Sequence, residues 1–298
     1  MGVSTELEAK VAAFADEVGD SGPVCVVGLG TRGGAADGVR AVSAPVGIDW
    51  IEPAEMTMRC GAGTPVAEVA AALGEHGQCV AMPSSGTVGG ALSVGQSGLR
   101  RLGWGPVRDT LLQVRYVSAA GEVVKGGGPT VKNVSGFDLC RLIVGSRGTL
   151  GFIGDVILRT RPLPTSERWF SSTADPWELA VGLYRPTSVL WNGTTTWVLL
   201  EGHPDDVAEQ VRQFELDPVA GPPDLPSHRW SLPPAALVDL PRTGDPFVAE
   251  IGVGVVHHSR TASERAVDPV VAAMNARVKA EFDPSGRLNP GIDPLSSH

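Results

Sequence analysis

Met82-Pro83-Ser84-Ser85-Gly86-Thr87-Val88-Gly89-Gly90 opens a stretch that closes on Gly148-Thr149-Leu150-Gly151-Phe152-Ile153-Gly154. Residues 82–154 hold 16 of the chain's 38 glycines, set between short strand-like apolar runs. Glycine reaches positive φ and lets backbone amides come close to a ligand. Dense glycine between apolar strands therefore fits two readings, a backbone surface moulded to a cofactor or a turn-rich β structure without one.

The order of the motifs separates the two. Residues 87–111, TVGGALSVGQSGLRRLGWGPVRDTL, lead into a strand-like LLQVRYVSAAGEVV that reads as a hairpin turning at Ala120-Gly121. Lys132-Asn133-Val134-Ser135-Gly136-Phe137-Asp138-Leu139 follows, then Arg141-Leu142, Gly145-Ser146 and Gly148-Thr149-Leu150-Gly151. This succession resembles the FAD-binding domain of the vanillyl-alcohol-oxidase or PCMH type, and within it the smaller FAD-binding subunit of bacterial glycolate oxidases. The resemblance covers residues 20–165 and a short C-terminal piece. It implies an α+β chain, a two-subdomain PCMH-type FAD-binding fold with a short α+β cap.

Length and composition set the bounds. A chain of 298 residues has room for about two cores. A net charge of −9, from 24 basic and 33 acidic residues, excludes a general nucleic-acid binder. The cysteines, Cys25, Cys60, Cys79 and Cys140, include no C-x-x-C pair, which argues against iron–sulfur or zinc ligation and fits buried thiols in a reducing cytoplasm. The N-terminal stretch is acidic and amphipathic, unlike a signal peptide, and no apolar run is long enough to span a membrane. A cytoplasmic protein is expected, associated with membranes only through partners.

Leu7, Val11, Phe14, Ala15 and Val18 recur at helical spacing, which predicts a helix over 5–18. Pro23–Val27 reads as a buried strand ending in Gly28-Leu29-Gly30-Thr31-Arg32-Gly33-Gly34, a loop whose amides suit an anion. The resemblance makes it the first pyrophosphate loop, with Gly30, Thr31, Arg32, Gly33 and Gly34 as contacts. Leu29 stands where the family has glycine or alanine. Thr57–Cys60 reads as a strand, and Thr64 as the N-cap of a helix with Pro65 at its first position.

By the same resemblance Pro83, Thr87, Val88, Gly89, Gly90, Ser93, Gly95, Ser97 and Gly98 form the loop that lies against the flavin. Arg108 and Asp109 border it, and Arg100 and Arg101 add positive charge. Gly145, Gly148, Thr149, Leu150, Gly151 and Ile153 form a second contact segment. The terminal Phe282-Asp283-Pro284-Ser285-Gly286-Arg287-Leu288-Asn289-Pro290-Gly291 resembles the family's return to the FAD domain, with Asn289 near the flavin. On the residues alone this terminus is a capped turn. FAD is expected to be held non-covalently, since the first loop offers no histidine and 87–110 no cysteine.

At Pro162-Leu163-Pro164 the composition shifts, and residues 162–246 hold 13 of the 24 prolines. The expected boundaries are 1–163 for the FAD-binding domain, 164–265 for a reduced cap and 266–298 for the returning segment. Phe247–His258 reads as one strand ending in two histidines. Neighbouring strand residues point to opposite faces, so the pair does not chelate one metal, and none is expected. His257 is the candidate base, against a plain structural histidine.

Oxidation of a 2-hydroxy acid needs a base for the hydroxyl proton and a cation for the carboxylate. Neither is evident beyond His257. Three readings stay open. The resemblance implies an FAD subunit of a 2-hydroxy-acid (glycolate-like) dehydrogenase, with a larger FAD subunit and an iron–sulfur subunit as partners. The others are a free-standing FAD oxidoreductase and an assembly subunit with weak FAD binding.

Overall fold

The structure is a computed structural model that describes residues 6–32, 38–128, 138–263 and 267–295. The chain divides into two compact units. Unit 1 comprises Met1–Gly98, Pro106–Leu163 and Val267–Leu295, and unit 2 comprises Leu99–Gly105, Pro164–Ala266 and Ser296–His298. Beyond the boundary near 163, unit 2 takes a seven-residue segment from inside the glycine-rich region.

Unit 1 opens with helix α1 (Glu6–Val18), whose Leu7, Val11, Phe14, Ala15 and Val18 are buried as the helical spacing requires. Strands β1 (Val24–Val27) and β2 (Arg40–Ser43) pair in parallel. Strands β3 (Ile48–Glu52) and β4 (Thr57–Gly61) precede helix α2 (Val66–Gly74) and the two-residue strand β5 (Gln78–Cys79). Thr64 is not the cap of α2. Pro65 holds that position without a side-chain bond, while the buried Thr64 hydroxyl accepts from Gly47 N at 2.9 Å and donates to Gly47 O at 3.2 Å. A tertiary partner has displaced the local one.

Helix α3 (Val88–Val94) follows, then α4 (Arg101–Trp104), which belongs to unit 2. A 3-10 turn at Val107–Thr110 leads to β6 (Leu111–Val117) and β7 (Val123–Gly127), the expected hairpin. Helix α5 (Leu139–Ile143), β8 (Phe152–Arg159) and the two-residue β9 (Arg161–Pro162) complete this part. One antiparallel sheet runs β3-β4-β8-β6-β7. Asp155 on β8 is fully buried and accepts from Arg59 Nε at 2.8 Å and Arg115 Nη2 at 2.7 Å, with Glu8 of α1 at 3.2 Å from Arg115. A buried carboxylate held this way is costly to break, because removing either arginine leaves an uncompensated charge.

Unit 2 is built on β10 (Ser166–Ser172), α6 (Pro176–Gly182), β11 (Ser188–Trp191), β12 (Thr196–Gly202), α7 (Pro204–Gln213), β13 (Asp217–Val219) and β14 (His228–Ser231). Phe247–His258 is not one strand. It is a hairpin of β15 (Phe247–Glu250) and β16 (Val255–His258), turned by Gly252 and Gly254 at φ 78° and 82°. The antiparallel order is β13-β10-β12-β11-β15-β16-β14. One face of this sheet carries Phe170, Val189, Trp191, Val198, Leu200, Phe247, Ala249 and Val256, packed with Leu179, Val207, Leu237 and Leu240 into a core. Trp191 is buried there, while Trp169, Trp177, Trp197 and Trp230 are half-buried. Alternation gives the opposite face Glu201, Glu250, His257 and Arg229.

Helix α8 (Pro269–Phe282) leads back into unit 1, where Leu288 bridges Val24 in parallel. Arg287, 5 % exposed, donates to the carbonyls of Val18, Gly19, Ser21, Gly22 and Ala119 at 2.7–3.1 Å. Cys25, Cys60 and Cys140 are buried free thiols, and Cys79 is half-buried. Among the described residues no helix is long and apolar enough to cross a membrane.

Replacing Arg287 strands several of these acceptors away from water. Arg287→Leu should therefore cost about 3 kcal/mol of stability, and Arg287→Lys should recover only part, since an ammonium has no fork. Urea denaturation of the full chain checks this, and unchanged midpoints would contradict it.

Candidate functional site

Four backbone segments of unit 1 meet around the N-terminal half of the glycine-rich stretch. The first is the loop after β1. A Cβ on Gly28 would stand 3.1 Å from Thr87 Oγ1, and one on Gly86 only 2.0 Å from the Arg32 guanidinium. Arg32 Nε donates to Gln96 Oε1 at 2.8 Å and Nη1 to Thr31 Oγ1 at 3.2 Å. Burial holds the Arg32 proton affinity below the usual guanidinium range. Leu29 is 61 % exposed and takes no part in this packing. Gly33 and Gly34 lie outside the described residues, as does the Lys132–Phe137 motif.

The second segment, 87–98, is mostly helix rather than loop. Thr87 caps α3, its Oγ1 accepting from Gly90 N at 3.1 Å, and Gly95 ends the helix in the left-handed conformation. A side chain on Gly90 would crowd that cap. Gly89 has a different reason to be glycine, since its Cβ would fall 2.8–2.9 Å from Ala62. Val88 belongs to the core. The Ser97 hydroxyl accepts from Val107 N at 3.0 Å, and Gly98 packs close to Pro83.

The third segment caps α3 from outside. Gly145 N donates to Leu92 O at 3.0 Å and Arg147 N to Ser93 O at 2.8 Å. Gly95 and Gly145 touch, at 3.3 Å from the Gly95 Cβ position to Gly145 Cα. Thr149 Oγ1 turns back to Ser146 O at 2.7 Å. Leu150 and Ile153 point into the core, and Gly151 leaves room for the Tyr116 ring.

The fourth segment is the C-terminal return. Asn289 Nδ2 donates to Arg147 O at 2.6 Å, its Oδ1 accepts from Val26 N at 3.4 Å, and its own N donates to Val24 O at 2.9 Å. Asn289 and Arg147 have φ of 45° and 53°, a region costly for most side chains. Gly148 must be glycine here, at φ 72° with its Cβ position 2.6 Å from Asn289 Nδ2.

Arg108 and Asp109 lie on the 3-10 turn that follows the 87–98 segment. Their exposed ends pair at 3.6 Å and line a shallow depression with Asp138 and Arg141. Arg100 and Arg101 are in unit 2. There Arg100 Nε donates to Glu201 Oε1 at 2.9 Å, and Arg100 also pairs with Glu167. Trp104 Nε1 donates to Glu201 Oε2 at 2.6 Å.

Unit 2 also contains the histidine pair. His257 Nε2 lies 3.0 Å from Glu250 Oε1, both side chains being nearly buried. His258 is buried on the opposite face, stacked on Trp230 at 3.7 Å, and its Nδ1 accepts from Arg260 N at 3.0 Å. Burial lowers the His258 pKa despite the pull of Asp245. No group of three or more His, Cys, Asp or Glu among the described residues is placed to hold a metal ion.

Sequence reasoning missed Gly86, Gln96, Ser146 and Glu250. For Glu250 a signal existed, because glycines at 252 and 254 inside an apolar run mark a turn.

Residues 4–127 match a family described as an FAD binding domain. The chain is 29 % identical to the glycolate oxidase subunit GlcE of Escherichia coli, over 82 % of this chain and 84 % of the relative. It is 36 % identical to a D-lactate dehydrogenase of Archaeoglobus fulgidus, over 35 % of this chain and 24 % of that protein. A solved structure of alkyldihydroxyacetonephosphate synthase superposes with a TM-score of 0.68 at 13 % identity, covering 97 % of this chain and 75 % of that one. That likeness establishes the PCMH-type fold and nothing further.

The cradle fits FAD on its own geometry. Gly145 has open space where a Cβ would stand, Ser146 Oγ is buried without a hydrogen-bond partner, and Arg32 is a half-buried cation on the loop after β1. Removing that cation with Arg32→Ala should weaken FAD binding by about one to two orders of magnitude. Gly86→Ala should do nearly the same by displacing the guanidinium. Fluorescence titration of the apo-protein checks both, and wild-type affinity in both variants would take Arg32 out of the site.

Proposed function

We propose that this chain, whose residues 4–127 are an FAD-binding domain, is the FAD-carrying subunit of an oxidoreductase that acts on a 2-hydroxy acid of the glycolate or lactate class. The observation that carries the reading is the similarity to a glycolate oxidase subunit over 82 % of this chain and 84 % of that relative, supported by the chemistry of the cradle. A larger flavoprotein and an iron–sulfur subunit are the proposed partners, as this chain carries no cluster-type cysteine spacing.

FAD would be held non-covalently by the 28–32 loop, α3 with its Thr87 cap, the 145–149 turn and Asn289. When bound it supplies the two-electron acceptor. The protein's own residues orient the reactants and move the proton. Thr87 and Gly95 fix the two ends of α3, and Arg32 neutralises phosphate charge. His257 is assigned as the base. With Nε2 turned to Glu250 at 3.0 Å, the imidazole is fixed in the tautomer that leaves Nδ1 free of a proton and able to take one from the substrate hydroxyl. Glu250 then stabilises the imidazolium that forms, the role of the third member of a catalytic triad.

Acid precipitation should release all of the flavin, and flavin left on the protein would overturn non-covalent binding. In the reconstituted assembly, His257→Asn should lower dye-coupled oxidation of glycolate or D-lactate by about 10²–10⁴, and Glu250→Gln by a smaller factor. The isolated chain should turn over slowly. Full steady-state turnover by the chain alone would overturn the subunit reading, and an unchanged rate in His257→Asn would remove the base.

A further inference from the structure

We propose that Arg229 and Arg101 form the seat for the substrate carboxylate, beside the His257–Glu250 pair and within unit 2. The proposal rests on the functional reading above, which asks for a base and a carboxylate clamp. It supplies the clamp.

Strand register places the first arginine. In the β14–β16 pairing Arg229 stands directly opposite His257, and in the β15–β16 pairing His257 stands opposite Val248. Directly paired residues share a face, and Glu250 lies two residues beyond Val248, so Arg229, His257 and Glu250 occupy neighbouring positions on one face. A second connection places Arg101. Its short helix α4 is tied to unit 2 by Gly103 N, which donates to Thr187 O at 3.1 Å. Leu102 packs on the β15–β16 turn, where a Cβ on Gly252 would be 2.9 Å from Leu102 Cδ1. Leu102 therefore stands at the turn that separates Glu250 from Val255, and Arg101 precedes it on α4, close enough for Arg229 to feel its charge.

Charge supplies the rest. Both arginines are half-buried, and neither guanidinium makes a hydrogen bond or ion pair among the described residues. Burial lowers the Arg229 proton affinity, Glu250 raises it and Arg101 lowers it, so the three groups feel one another. Glu250, the carboxylate whose charge Arg229 feels, is already hydrogen-bonded to His257. Two partly buried cations that share one carboxylate, itself engaged by His257, leave positive charge that a further anion would balance. A carboxylate is the anion that a guanidinium fork takes in two parallel bonds. With the hydroxyl carbon adjacent to that carboxylate, a 2-hydroxy acid would place its hydroxyl near the base. A simple alcohol would have nothing to hold it.

The test is calorimetric titration of the full chain with oxalate, a dicarboxylate that cannot be oxidised at a hydroxyl. Arg229→Ala should weaken oxalate binding by about 10- to 100-fold, and Arg101→Ala by a smaller factor. Arg229→Lys should restore only part. Arg212→Ala, at an exposed arginine on α7, should change nothing. Thermal melts check that the variants fold, and Arg229→Gln replaces Arg229→Ala if the latter melts early. Wild-type affinity in a folded Arg229 variant would overturn the seat. The two readings fail separately. Arginine-dependent oxalate binding with no oxidation of any 2-hydroxy acid by the flavin-loaded assembly would leave the seat standing and remove the function.

Discussion

Unit 1 depends on one backbone return. Leu288 lies against Val24 as a single parallel bridge, with Val24 N bonded to Arg287 O at 3.0 Å and Asn289 N bonded to Val24 O at 2.9 Å. Two side chains make this short contact strong. Arg287 gathers five carbonyls from the α1–β1 connection and the β6–β7 turn, and Asn289 reaches Arg147 O. The buried Asp283 shapes the turn itself, accepting from Leu288 N at 2.8 Å and Arg287 N at 3.0 Å. Desolvation would raise the Asp283 pKa, but the Lys279 ammonium and these amides outweigh it and hold the carboxylate below its usual range. Residues far apart in sequence are thereby fixed where the glycine segments converge.

Unit 2 solves a different problem, which is how to bring a base and its partner together on a sheet. A two-glycine turn folds 247–258 back on itself, so that Glu250 and His257, seven residues apart, become diagonal neighbours on one face. Side-chain alternation then separates the roles. His258 goes to the core face, where Trp230 covers it, and His257 to the polar face with Glu250. The α4 segment, drawn from the middle of the glycine-rich region, is clamped there by Glu201, which accepts from both Arg100 and Trp104.

Much of this was legible in the sequence because it is local. The helical period of 6–18, the β6–β7 hairpin and the turn chemistry around Asp283-Pro284 all follow from neighbours along the chain. Motif order pointed to the FAD-binding fold. The failures share a cause, which is a distant partner. Thr64 looks like a cap and is instead bonded to Gly47. The glycines of 87–95 look like a loop but mostly sit in a helix, because Thr87 caps it and the 145–147 amides close its far end. Gly89 and Gly151 also have packing reasons to be glycine that the sequence does not show, making room for Ala62 and Tyr116. Arg100, grouped by sequence with the flavin loop, is paired with two glutamates of unit 2.

On the reading proposed above, FAD is held in a cradle closed by the C-terminal return, with Asn289 as the residue that joins its parts. Flavin-fluorescence titration of the Asn289→Ala chain tests it most directly. The variant frees Arg147 O and Val26 N together and removes the side chain that Gly148 accommodates. FAD affinity should fall by at least about tenfold while circular dichroism keeps the folded signature. An affinity equal to that of the wild type in a folded variant would contradict the account.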